Sequence, residues 1–298
     1  NIAGPVNINT SNAGTNTFHD ATGLVTLSKG NLQMNEAKAG LTVTSGTVVS
    51  AGAVTGDLAA SGFAAINSVG NVSNNVSVAD DAAVTSTGTI GGTLTVSDDA
   101  LFVGDENNTN VTDVVNINTS NAGTNIFHDA VENVTLTAGN LEMNDAAKNL
   151  NIAAGSLSAN DVGGNLVASG SGVVTDINNI TGDATLTNTA NVTSTGTIGG
   201  SLSVGNSSLF NGHATNTDIT GPVNINTSNA GTNTFHNAGG LVTLSRGSLQ
   251  MNDAQAGLTV TGGTVFSAGA VTGDLAASGV ASTINSVGNV SNNVSVID

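Results

Sequence analysis

The segment VNINTSNAGTN occurs three times, starting at Val6, Val115 and Val223, at spacings of 109 and 108 residues. STGTIGG recurs at Ser86 and Ser194, and the pairs Leu101-Phe102 and Leu209-Phe210 keep the same offset of 108. Self-similarity at a fixed period means that one structural unit is used repeatedly and buries its apolar face against its neighbours. The units run 6–114, 115–222 and 223–298, the last incomplete. SAGAVTGDLAASG at Ser50 returns unchanged at Ser267, whereas the middle unit reads ANDVGGNLVASGSG there, so a higher-order repeat of about 217 residues overlies the shorter one.

A shorter period lies inside each unit. Apolar stretches begin near Val6, Leu24, Leu41, Leu58, Val76 and Leu94, in steps of 17 or 18 residues. Within them apolar and polar residues alternate, as in Leu41-Thr42-Val43-Thr44 and Val134-Thr135-Leu136-Thr137, the period-two pattern of strands with one buried face. Gly, Asn, Asp and Ser separate them, as turns require. The nearest approach to a helical stripe, MNEAKA from Met34, is short enough to read as a turn.

Strands this short are stable only when each coil stacks on the next, at about 4.8 Å, and shares a continuous core. The expected fold is therefore all-β: one continuous parallel β-helix (β-solenoid) with about 18 residues per coil. About 16 coils would span roughly 75 to 80 Å. Right-handed winding is expected for parallel crossovers, and no strict six-residue apolar beat points to the left-handed alternative. Like residues, Asn included, are expected to stack in ladders.

Composition fits a thin core. Hydrophobic residues make up 38%, mostly small Ala and Val, with no Cys, Trp or Tyr. Four basic residues against 21 acidic ones give a net charge of -17. So few cations supply no electrostatic footprint for nucleic acid or for anionic membranes. The apolar runs fall far short of the ~20 residues that span a bilayer, so no membrane insertion is expected.

The chain starts and stops out of phase with its repeat: Asn1 aligns just before the GPVNIN of Gly221, and Asp298 aligns with Asp80. It reads as an excerpt of a longer array. NIAGPVNIN copies DITGPVNIN from Asp218, and VSNNVSVID copies VSNNVSVAD from Val72, so neither end carries a distinct cap. Self-association, end to end or lateral, is the expectation for such edges.

Units such as GLVTLSKGNLQMN from Gly23, GDLAASG from Gly56 and STGTIGGTLTVS from Ser86 resemble the repeat region of large bacterial exoproteins. These are filamentous-haemagglutinin-like adhesins, autotransporter passengers and S-layer-like β-strand repeat proteins. The resemblance covers essentially the whole chain in style and period. It implies export, display at the cell surface, and adhesion or matrix building, with host or cell-surface receptors or glycans as partners. It supplies no catalytic residues.

Four chemistries bear on the polar residues. His19, His128 and His236 repeat in a Phe-His-Asp/Asn triplet, but successive copies would lie roughly 29 Å apart, too far to share a metal. Phe18, Phe127 and Phe235 are expected to be buried and the histidines exposed. Calcium has candidates in Asp98, Asp99, Asp105, Glu106 and Asp113, hard oxygen ligands crowded into one stretch; the GGxGxD calcium repeat is absent.

A polysaccharide-degrading β-helix enzyme would need a convergent set of acids and bases. Arg246 takes the position of Lys29 and Ala138, and Lys38 is matched by Gln255, so no such set recurs. Ice binding would need a Thr-x-Thr ladder; TVTSGT from Thr42 and TSTGT from Thr85 offer threonines that are not sustained along the array. The expected function is a structural, adhesive segment of a secreted or cell-surface fibre, with no enzyme activity and no obligatory cofactor.

Overall fold

The computed structural model describes residues 1–86 and 88–297; Thr87, inside the TSTGT segment, and Asp298, the counterpart of Asp80, lie outside them. Among the described residues the regular elements are all β-strands, and no helix is long and apolar enough to cross a membrane. The chain divides into two compact units, Asn1–Lys148 and Asn149–Asp298. That boundary falls inside the sequence unit 115–222. Each compact unit is a parallel β-solenoid, wound in coils of three strand rows.

In the first unit, the first row begins each coil with Val6, Val25, Leu41, Leu58, Val76, Leu94, Val115 and Val134, paired in parallel register from coil to coil. Leu27, Val43, Val78, Val96 and Leu136 follow two residues later and are fully buried. The second row turns Leu32, Val48, Ile66, Val84 and Phe102 inward. The third row is narrow, in places a single bridge, as in Val54 to Val72 to Ile90 to Val111 to Ala130. Alternation makes this possible, because only every second residue must be apolar for a strand to line the core.

In the second unit the first row runs from Leu150 through Leu166, Ala184, Leu202, Val223, Val242, Leu258 and Leu275 to Val294. Its third row continues from Val162 to Ile180 and Ile198.

Two expectations are corrected. The second coil starts at Val25 and not at Leu24: Val25 is fully buried, while Leu24 is 44% exposed. The pair Leu24-Val25 satisfies an apolar beat in either phase, and stacking on Val6 and Leu41 selects Val25. MNEAKA is mostly strand, since Asn31–Ala37 is continuous and pairs Met34 with Ala51 and Glu36 with Ala53. Only Lys38 and Ala39 form the turn.

Polar side chains close the ladder at the corners. Asp57 Oδ1 accepts from the Asn75 N–H at 3.1 Å, and Asn75 Oδ1 accepts from the Thr93 N–H at 3.0 Å. In the second unit Asn149, Asn165 and Asp183 accept in the same way from the N–H groups of Asn165, Asp183 and Ser201, at 2.7 to 2.9 Å. Here Asn and Asp are interchangeable, because the bond needs only a short side chain ending in an acceptor oxygen.

Candidate functional site

Among the described residues, open cavities lie at the corner of the coil where the second row turns into the third. One of about 620 Å3 is in the first unit. Four successive coils build it with Thr17 to His19, Gln33 to Asn35, Ser50 to Gly52, and Ser68 with Gly70. The pairings Thr17 with Gln33, Gln33 with Ser50, and Met34 with Ala51 set these residues in columns. Met34 and Ala51 are buried at 4% and 2% exposure and floor the groove between rows of hydroxyl and amide side chains.

Glycine lets the coils stack closely beside the groove. A Cβ on Gly52 would lie 2.5 Å from Asn35 O, and one on Gly70 would lie 1.7 Å from Gly52 O. No larger residue fits these positions unless the coils part.

The groove wall is held by Asp20, which is only 7% exposed. Its Oδ1 lies 2.7 Å from His19 Nδ1 and accepts from Asn35 Nδ2 at 3.2 Å. Lys38 Nζ stands 3.8 Å from its Oδ2 and 3.6 Å from Glu36 Oε2. Burial pushes the Asp20 carboxyl up, but the Asn35 hydrogen bond and the His19 and Lys38 charges outweigh it and hold it below the usual carboxylate range.

The other copies keep part of this arrangement. Asn144 Nδ2 donates to Asp129 Oδ1 at 2.9 Å, and Asn252 Nδ2 donates to Asn237 Oδ1 at 3.1 Å. The imidazole differs each time: His128 Nε2 is 3.6 Å from Asp129 Oδ2, while His236 Nδ1 is 2.9 Å from Asp218 Oδ1. An imidazole beside an orienting carboxylate is two parts of an acid-base set, but its geometry is not carried through the repeats. The middle copy's cavity, about 210 Å3, is lined by Glu106 and Glu142 and is acidic. A cavity of about 390 Å3 in the second unit lies against His213 and Thr193 to Thr195.

The Phe-His expectation holds in part. Phe127 and Phe235 are buried, but Phe18 is half-buried, and only His19 is exposed while His128 and His236 are half-buried. The calcium candidates are dispersed by the winding of a single coil. Asp98 and Asp99 sit where the first row meets the second, Asp105 and Glu106 where the second meets the third, and Asp113 where the third returns to the first. Asp105 Oδ1 accepts from the Asn107 N–H at 2.8 Å, and Asp113 Oδ2 accepts from Thr93 Oγ1 at 3.3 Å. The Asn107 N–H, with the Asn108 side chain, holds the Asp105 carboxyl below its ordinary value. Among the described residues no three His, Asp or Glu side chains are grouped as a metal site.

Arg246 and Lys29 end first-row strands and are exposed, and Gln255 replaces Lys38 beside Ala254. The threonines align better than their spacing promised: Thr26, Thr42, Thr95 and Thr135 share one outward column with Ser77. Asn7, Ala59 and Asn116 interrupt it, and it carries no charge. Sequence reasoning passed over Gln33, Asn35 and Ser50. Their signal is the recurring Gln-Met-Asn of Gln33 and Gln250, which becomes Glu-Met-Asn at Glu142.

Comparison with family models, with curated proteins and with solved structures gives no match to this chain.

Proposed function

We propose that the chain is a structural and adhesive segment of a secreted or cell-surface bacterial fibre, contributing reach, matrix contact or filament formation without catalysis. One observation supports this most: the inward columns persist from coil to coil while the polar corner residues change between copies. Asp20 and Asp129 become Asn237, Gln33 becomes Glu142, and Lys38 becomes Gln255. A scaffold tolerates such exchange, and a repeated catalytic set would not.

Beads coated with the chain, compared with beads carrying an unrelated protein of equal net charge, test the reading. Stronger capture of bacterial or host cells by the chain is expected. Equal capture, or turnover of a polysaccharide by the soluble chain, overturns it.

The uncharged column of Thr26, Thr42, Ser77 and Thr95 favours one second reading, ice binding. Thermal hysteresis that disappears in Thr42→Lys would support it, and its absence in the parent chain would remove it.

A further inference from the structure

We propose that the groove of the first unit binds a neutral, extended oligosaccharide lying along the stack of coils. The inference rests on the adhesive reading and names the ligand class it would use.

Four observations carry it. The cavity, about 620 Å3, falls within the range of small-molecule sites. It crosses four coils, so its length is roughly 14 Å, suited to a linear molecule rather than a compact one. Its lining pairs an apolar floor, Met34 and Ala51, with hydroxyl and amide walls, Thr17, Gln33 and Ser50. That is the chemistry of a sugar, which offers C–H surface on one side and hydroxyls at its edge.

The fourth observation is charge. In a chain of net charge -17, neither a carboxylate nor a lysine or arginine lines this groove. The one ionisable side chain of the lining, His19, is already paired with Asp20 at 2.7 Å, so anionic polymers find no unpaired cation there and cationic ones find no lining carboxylate. The middle copy, lined by Glu106 and Glu142, shows how readily the same corner becomes acidic.

The walls are also positioned before any ligand arrives. The Asp20 carboxylate fixes His19 through Nδ1 and Asn35 through Nδ2, which leaves His19 Nε2 and Asn35 Oδ1 for a ligand's hydroxyls. Side chains ordered in advance lose less entropy on binding. The lining residues recur at Gln250, Met251, Asn252, Ser267 and Gly269, so a test must alter both copies.

The test titrates the full chain with cellotetraose, maltotetraose and tetra-N-acetylchitotetraose, with tetragalacturonate and a chitosan tetramer as charged controls, by calorimetry and saturation-transfer NMR. At least one neutral tetramer should bind and neither charged control should. The double variants Gln33→Ala/Gln250→Ala and Gln33→Glu/Gln250→Glu, both at an exposed position, should lose at least ten-fold in affinity with an unchanged circular dichroism spectrum. No neutral tetramer bound at about 10 mM, equal binding of tetragalacturonate, or affinity unchanged in both variants overturns the proposal. Parent beads that hold cells while the parent chain binds no neutral tetramer sink the groove alone. Sugar binding without any bead capture sinks the adhesive reading and leaves the groove standing.

Discussion

The backbone N–H of Phe102 donates to the side-chain Oδ1 of Asn125, one coil further on, at 3.0 Å. Both residues are fully buried. Here the strands Leu101–Val103 and Thr124–Ile126 share one registered backbone pair, Val103 with Ile126, and the Asn125 amide supplies what the ladder lacks. Its Nδ2 continues the link to Asn140 O at 3.1 Å. Phe210 and Asn233 repeat the arrangement at 3.0 Å in the second unit.

Asn125→Leu should therefore destabilise the fold, although leucine occupies the same inward column at Leu141. The Phe102 N–H loses its acceptor inside the core, a cost of about 1–3 kcal/mol. Urea denaturation would show a lower midpoint, and hydrogen exchange would show the Phe102 amide losing protection before its neighbours. An unchanged midpoint would mean that the amide is not needed to close the coil.

Glycines divide by what surrounds them. Gly70→Ala would place a methyl 1.7 Å from Gly52 O, whereas at Gly205 the nearest atom to the added carbon, Leu186 O, is 3.7 Å away. Gly70→Ala should cost on the order of 1–3 kcal/mol or prevent folding. Gly205→Ala should be neutral or stabilise by up to about 1 kcal/mol through the unfolded chain. Thermal melts of the two variants check this, and equal losses would contradict the packing at the corner.

The repeat and the alternation made the parallel solenoid legible, because Leu41-Thr42-Val43-Thr44 states which side chains enter the core. They did not place the start of the second coil, since Leu24 and Val25 are equally apolar and only the neighbouring coils choose between them. The buried Asn125 was also hidden: in VNINTSNAGTN it looks like any other turn asparagine. The groove was less legible still. Thr17, Gln33, Ser50 and Ser68 lie 16 to 18 residues apart and become neighbours only through coil stacking. The same winding separates Asp98, Asp105 and Asp113, which sequence proximity had gathered into one cluster.

That separation yields a prediction about metal. With the five carboxylates spread over three corners, and Asp105 and Asp113 already accepting hydrogen bonds from Asn107 and Thr93, these residues offer calcium no shared site. Melting temperatures in excess calcium and in excess chelator should agree once ionic strength is matched. A chelator-induced drop of several degrees would show that two of these corners are bridged by an ion.

Asp183 gives the sharpest test of the corner ladder. Its Oδ1 accepts from the Ser201 N–H at 2.7 Å and from Ser201 Oγ at 2.8 Å, and these bonds, the backbone one first, hold its carboxyl below the usual value despite some desolvation. A carboxyl whose folded pKa is depressed binds fewer protons folded than unfolded, so its contribution is present above the unfolded value of about 3.9. It is lost as pH falls through the lowered folded value. Asp183→Asn keeps the acceptor oxygen, as Asn165 does at the preceding coil, but removes the titration. The variant should match the parent in stability near neutral pH and lose less stability than the parent below about pH 4. Paired urea titrations at neutral and acidic pH measure the difference. Parallel losses for the two proteins would place the acid sensitivity elsewhere, and a large loss at neutral pH would show that the ladder needs the charge and not merely the oxygen.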